Sequence, residues 1–194
     1  MICYLHGFAS SGVSGKVDKL RERFGNDQVI APDLPFDPNE VYTLVNAIVR
    51  KKYFDTDPTG QRLIFVGTSL GAFYANYFGH LFDCPVVLAN PSVCPSQTLR
   101  DRLGPNKSYM SGEEFLVSIA HLNTLASMRD YITQNYASNL INLFLAKDDE
   151  VIPYQAALDE FKFVNSICIT EDGGHRYDKN WNLVVDKIAV LLKN

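Results

Sequence analysis

Residues 62–71 read Arg-Leu-Ile-Phe-Val-Gly-Thr-Ser-Leu-Gly, and no other stretch of the chain constrains its fold as tightly. Leu63 to Val66 is a short run of branched and aromatic side chains, the composition of a buried strand. It stops at Gly67-Thr68-Ser69-Leu70-Gly71, a G-x-S-x-G pentapeptide, and a helix-like stretch runs from Ala72 to Phe78. Strand, tight turn, serine and helix, in that order, are the context a nucleophile elbow requires. A turn that lifts one side chain above a sheet leaves no room for Cβ atoms on either flank, and both flanks are glycine. The turn also sets the serine at a helix N-terminus, where free N–H groups and the dipole favour negative charge.

Two further apolar runs end in polar residues that complete such a site, in the chain order serine, acid, histidine. Asn142-Leu-Phe-Leu-Ala146 stops at Lys147-Asp148-Asp149-Glu150, and Pro153 can open the next helix. Ser166-Ile-Cys-Ile-Thr170 stops at Glu171-Asp172-Gly173-Gly174-His175. A serine hydroxyl is a poor nucleophile at neutral pH and needs an adjacent base, which His175 supplies. An aspartate would hold the imidazole in the right tautomer and stabilise its protonated form. Asp149 is the first choice, four residues before the helix-opening proline. Asp148 and Asp172 are the rival acids, Asp172 reading mainly as a brace for the glycine turn.

Acyl transfer also needs donors aimed at the oxyanion. One is the backbone N–H of Leu70, immediately after the serine. The second belongs to the loop after the first strand, Met1-Ile-Cys-Tyr-Leu5 followed by His6-Gly7-Phe8-Ala9. Phe8 is the chosen donor, with Ala9 as the alternative, and His6 reads as a brace for the loop.

Strand-like runs at 2–5, 28–31, 63–66, 86–89, 141–146 and 166–170 alternate with helix-like stretches at 16–24, 39–52, 70–80, 154–161 and 181–192. The alternation predicts an α/β fold: a mainly parallel sheet of about six strands flanked by helices. Residues 55–60 form a turn cluster. Residues 90–139 break the alternation and predict a short helical cap inserted in a single domain spanning 1–194. Ser111-Gly-Glu-Glu114 reads as a capping box. Phe115, Leu116, Ile119, Leu122, Leu125 and Met128 recur at helical spacing. Two short helices over the site are expected, their apolar face either building an acyl pocket or packing on the sheet. Tyr109 and His121 are the polar candidates there for reaching the pocket.

The opening Tyr4-Leu5-His6-Gly7-Phe8, with Gly67-Thr68-Ser69-Leu70-Gly71, Asn90-Pro91, Lys147-Asp148-Asp149-Glu150 and Gly173-Gly174-His175, resembles the α/β-hydrolase superfamily. Within it the chain is similar over its whole length to the small bacterial esterases of the YqiA/YcfP type. That resemblance implies a compact α/β-hydrolase fold, a triad of Ser69, Asp149 and His175, and hydrolysis of carboxylic esters with short acyl chains. It implies no cofactor and no physiological substrate.

Bulk properties agree with a small-molecule hydrolase. The chain has 194 residues, 46% hydrophobic and 21% charged, with a net charge of −4. It carries no basic block, so nucleic acid is not expected as a partner. No apolar run approaches the ~20 residues that span a bilayer, and no charged leader opens the chain. The four cysteines are scattered, without a CxxC pair. They read as reduced thiols of a cytoplasmic protein, and no metal site is expected. A thioesterase using the same triad is the nearest alternative, and a non-catalytic hydrolase-fold binding protein the next. Homodimerisation stays open.

Overall fold

Side chains along the first strand, β1 (Ile2–Leu5), point alternately to two separate cores. Ile2 and Tyr4 enter one, Cys3 and Leu5 the other, as the two-residue period of a strand covered on both faces dictates. The computed structural model describes residues 1–53, 55 and 62–193. Most of the expected turn cluster, 56–60, lies outside the described residues.

Five more strands join β1: β2 (Val29–Ile30), β3 (Ile64–Ser69), β4 (Val86–Pro91), β7 (Ile141–Ala146) and β8 (Ser166–Thr170). They form one sheet in the order β2-β1-β3-β4-β7-β8, with every neighbouring pair parallel. Two further strands, β5 (Gly104–Lys107) and β6 (Glu114–Val117), make a separate antiparallel hairpin. Helices α1 (Gly15–Phe24) and α7 (Trp181–Leu191) cover one face through Val17, Leu20, Trp181, Val184 and Ile188. Tyr4 meets the Trp181 ring edge-on at 5.8 Å beneath them. The other face is covered by α2 (Pro38–Lys52), α3 (Leu70–Phe82), α5 (Ile119–Gln134) and α6 (Tyr154–Glu160). In α2 the fully buried Val41, Val45 and Val49 recur every fourth residue, on one side of the helix. Asp37 caps its first turn by accepting from Asn39 N–H, and Pro38 occupies the first helical position, where a missing N–H costs nothing.

The third strand is longer than its apolar run. Gly67 and Thr68 continue pairing, with Leu88 and Ala89, so β3 delivers Ser69 directly to the carboxyl edge of the sheet. β4 and β7 end along the same edge.

The insertion after β4 is not the pair of helices expected. It consists of one helical turn, α4 (Pro95–Thr98), the β5–β6 hairpin and the single 16-residue helix α5. Phe115 and Val117 point inward while Glu114 and Leu116 point out, which is strand period two, not helical spacing. Outward-facing Glu114 pairs across the hairpin with Lys107 at 3.2 Å. The capping box stands seven residues later than expected. Ser118 Oγ accepts from His121 N–H at 3.2 Å, and His121 Nδ1 accepts from Ser118 N–H at 3.4 Å. Ser111 instead bonds Glu113 N–H within the hairpin turn. Leu122, Leu125, Met128 and Ile132 pack into the core on the α3 side, so most of the apolar stripe lies against the body of the protein. No helix among the described residues is long and apolar enough to cross a membrane.

Candidate active site

Ser69 has φ 55° and ψ −124°, a backbone region that residues with a Cβ rarely occupy. Such strain persists only where the surroundings fix it. Here they do. A Cβ on Gly71 would lie 2.1 Å from the Leu5 carbonyl oxygen, and one on Gly67 would lie 2.2 Å from the Gly71 carbonyl oxygen. Both elbow glycines are therefore required by contact with backbone that cannot move aside. The Ser92 N–H donates to the Ser69 carbonyl at 3.1 Å and ties the elbow to the end of β4.

Ser69 Oγ lies 2.9 Å from His175 Nε2. His175 Nδ1 lies 2.9 and 3.0 Å from the two carboxylate oxygens of Asp149. With Nδ1–H donating to the carboxylate, Nε2 is free to accept from the serine hydroxyl. The Asp149 side chain is 1% exposed, yet it is well solvated by protein. Its Oδ1 also accepts from the N–H groups of Val151 and Ile152, at 2.9 and 2.8 Å.

The loop carrying His175 is held by its backbone. Asp148 Oδ1 accepts from Gly174 N–H at 2.8 Å, and Glu150 Oε2 accepts from His175 N–H at 2.9 Å. Three consecutive acids thus divide the work: the middle one takes the ring, and its neighbours take the peptide. Asp172, the other rival acid, faces Lys179 at 3.5 Å, and its carbonyl accepts from Thr170 and Asn180. From β4, Asn90 Nδ2 donates to the carbonyls of Gly174 and His175 while Asn90 Oδ1 accepts from Ala146 N–H. The pattern of apolar runs and turns in the sequence gives Asn90 and Glu150 no role. The Asn90-Pro91 pair at a strand end was the signal, but its partners lie 84 and 85 residues further along the chain.

Phe8 and Leu70 line one small cavity of about 30 Å³ with His6, Gly7, Phe36 and Tyr74. Leu70 opens α3, so its N–H has no acceptor four residues back in the helix. The Gly7 backbone lies against the elbow: a Cβ there would sit 3.4 Å from Ser69 Cβ and 3.9 Å from Ser69 Oγ. His6 braces this loop, with Nδ1 bonded to the Gly7 carbonyl and Nε2 accepting from Leu34 N–H, both at 2.9 Å. Burial holds its pKa below the ordinary value of 6.5. The hairpin docks here as well. Phe115 stacks on Phe36 at 3.6 Å and meets Phe8 edge-on, and Tyr109 N–H donates to the Ala9 carbonyl.

A second, larger cleft of about 350 Å³ lies between α3, α5 and α6, with Phe73, Val93, Ile132 and Phe161 on its walls. Neither Tyr109 nor His121 lines either cavity. Tyr109 is 69% exposed at the hairpin turn, and His121 serves the start of α5, its Nε2 3.8 Å from Asp37. Among the described residues no three His, Cys, Asp or Glu side chains gather as a metal site. The four cysteines are free thiols; Cys3 and Cys84 are buried, Cys94 and Cys168 half-buried. Burial pushes the Cys3 thiol up to about 12.

A six-stranded parallel sheet with an elbow serine at the end of its third strand in sequence defines an α/β-hydrolase-superfamily protein. The model of the Uncharacterised protein family (UPF0227) matches residues 1–190, and the chain belongs to that family. This is the YqiA/YcfP-type group that the motifs resemble. The chain is 25% identical over 185 residues to a UPF0227 protein of Shewanella sp. (strain ANA-3), with 91% of each chain covered. It is 26% identical over 170 residues to one of Shewanella baltica (strain OS155 / ATCC BAA-1091), with 80% of this chain and 90% of the relative covered. Similar solved structures include Est1E from Butyrivibrio proteoclasticus, with a TM-score of 0.69 at 14% identity over 96% of this chain and 84% of that one. Paleococcus ferrophilus monoacylglycerol lipase gives 0.68 at 13% identity over 97% and 93%. At these identities the structural likeness establishes the fold.

Proposed function

We propose that the protein is a serine hydrolase of carboxylic esters, with Ser69 as nucleophile, His175 as general base and Asp149 as the acid that orients it. The hydrogen-bonded series from Ser69 Oγ through His175 to Asp149, each link at 2.9–3.0 Å, carries this reading. It is supported by the backbone strain at Ser69, which presents the hydroxyl at the edge of the sheet. A fold neighbour described as a monoacylglycerol lipase fits the same chemistry.

In this mechanism Ser69 Oγ attacks the ester carbonyl as its proton passes to His175 Nε2. Asp149 stabilises the imidazolium through Nδ1–H. The Phe8 and Leu70 N–H groups receive the oxyanion, an effect worth ~10²–10³ in rate per donor. The tetrahedral species collapses as His175 protonates the leaving alcohol. Water, deprotonated by His175, then attacks the acyl-enzyme, and the acid leaves as Ser69 regains its proton. No step calls on a cofactor. The free thiols fit a reducing compartment, so we place the enzyme in the cytoplasm.

The test is treatment with a small fluorophosphonate followed by intact-mass measurement, beside Ser69→Ala. One adduct on the parent and none on the variant is expected. A parent that stays unmodified overturns the assignment of Ser69 as an activated nucleophile. Matched p-nitrophenyl ester and thioester series then set the leaving-group preference.

A further inference from the structure

The cleft between α3, α5 and α6 adjoins the backbone of the elbow that carries the proposed nucleophile. Its upper wall includes Ser92 and Val93, the residues that follow β4, and Ser92 N–H is bonded to the Ser69 carbonyl. Phe73, on the facing wall, lies four residues beyond Ser69, one turn into α3. From there the cleft runs down α3 toward Asn76 and between Arg129 and Ile132 of α5 and Glu160 and Phe161 at the end of α6. At about 350 Å³ it falls in the range of small-ligand sites, whereas the cavity at Phe8 and Leu70 has room for little more than one oxygen-sized group.

We infer that this cleft holds the acyl chain of the substrate, and that it selects a neutral chain whose far part carries a hydroxyl or an amide. The inference rests on the reading of Ser69 as nucleophile and adds the substrate class.

Three observations carry it. Beside Ser92 at the elbow, Phe73 and Val93 are apolar, and Ile132 and Phe161 extend them, so the first part of the chain meets mainly hydrocarbon. The charges further along cancel: Arg129 Nη2 reaches both carboxylate oxygens of Glu160, at 3.1 and 3.0 Å. A free carboxylate or ammonium entering there would bring a charge with no free counter-charge, at a desolvation cost. Finally, Asn76 is 4% exposed and its Oδ1 has no hydrogen-bond partner. Arg129 Nε is in the same condition. Three buried side-chain atoms are left so among the described residues, and two of them belong to residues lining this cleft.

A purely apolar core would place no carboxamide at this point of α3, since an unpaired buried polar group is costly. The unpartnered Oδ1 is itself shielded, so the cleft meets the other end of the carboxamide: Nδ2 as placed, or the oxygen after half a rotation, a donor or an acceptor. A hydroxyl or an amide on the substrate can meet either. An unsubstituted alkyl chain can meet neither, and a carboxylate only the donor.

The test compares p-nitrophenyl esters of one length: hexanoate, 6-hydroxyhexanoate, the monoamide of adipate and the free-acid monoester of adipate. The hydroxy and amide esters should exceed hexanoate in kcat/KM by up to about tenfold, the worth of one neutral hydrogen bond. The free-acid ester should be the poorest. In Asn76→Leu, similar in volume and without hydrogen-bonding groups, the ratio of 6-hydroxyhexanoate to hexanoate should fall to one or below. A ratio that is the same in parent and variant, or no advantage in the parent, overturns the inference. If Asn76→Leu does not fold, Ile132→Trp replaces it; filling the cleft should lower the ratio of hexanoate to acetate turnover, and an unchanged ratio means that the chain lies elsewhere. Fluorophosphonate labelling of the parent separates the two levels. A labelled enzyme with flat selectivity removes the cleft assignment alone, and an unlabelled one removes both.

Discussion

At the end of β4 the carboxamide of Asn90 donates to the His175 carbonyl at 3.2 Å, and to the neighbouring Gly174 carbonyl at 2.9 Å. The same side chain accepts from Ala146 N–H, the last residue of β7, at 2.9 Å. Asn90 is 2% exposed and has φ 43°, a conformation that asparagine tolerates better than most residues. It joins two strand ends to the loop that carries the proposed base. Asn90→Asp keeps the acceptor for Ala146 but sets an oxygen against two carbonyls. We expect kcat to fall about 10²-fold with KM little changed, the usual scale for a displaced catalytic group. Steady-state kinetics beside a melting curve decide it; a lower Tm with kcat within twofold of the parent would reduce Asn90 to a structural role.

The three consecutive acids differ in what they bind, and their isosteric variants should differ accordingly. Asp149→Asn leaves the amide geometry possible but permits the wrong histidine tautomer, so a loss of about 10⁴ in kcat is expected. Asp148→Asn still offers an oxygen to Gly174 N–H and should lose less than about tenfold. Equal losses in the two, measured on one ester at saturating concentration, would overturn the choice of Asp149.

Ser69 should reverse the ordinary order of alanine and glycine. At most positions in folded structure glycine is the less stable of the two, by roughly 0.5–1 kcal/mol. At φ 55° and ψ −124° the alanine Cβ keeps the strain and glycine releases it, a term of about 1–3 kcal/mol. Ser69→Gly should therefore be more stable than Ser69→Ala by about 1 kcal/mol in urea denaturation. An alanine variant that is equally stable or more so would mean that the elbow carries no strain.

Two buried histidines predict acid sensitivity. His6 Nε2 accepts from Leu34 N–H and His80 Nε2 from Ala137 N–H, and burial holds both rings below the ordinary value of 6.5. Below 6.5 the unfolded chain takes up protons that the folded one refuses, so stability is full above that pH and declines as pH falls toward the folded-state values. Urea midpoints measured from pH 7.5 to 5 should decrease, and His6→Gln with His80→Gln should flatten the slope. A slope unchanged in the double variant would assign the effect to other groups.

The residues of the proposed triad were legible because each ends an apolar run in the chain. Leu63–Val66, Asn142–Ala146 and Ser166–Thr170 announce strands by composition, and in a parallel sheet strand ends share one edge. Ser69, Asp149 and His175 meet there with no further information than order and spacing. Gly67 and Gly71 were equally legible, since a sharp elbow excludes Cβ atoms wherever it occurs.

The first half of the insertion was not legible, because Phe115 and Leu116 fit a helical stripe and a strand edge about equally over so short a span, whereas Ile119 to Met128 do lie in a helix. The docking of Phe115 on Phe8 and Phe36, with the bond from Tyr109 N–H to the Ala9 carbonyl, fixes the hairpin against the body. The backbone clamp on Gly174 and His175 was hidden for a related reason: Asn90 and its carbonyl partners are separated by more than 80 residues, and local pattern holds nothing about such pairs. Sequence by itself determined which residues could carry the chemistry, through strand composition and turn sterics, which are local. Tertiary structure decided what holds them, and which clefts lie beside them. Those depend on side chains brought together from distant elements, and their energies exist only once the sheet has formed.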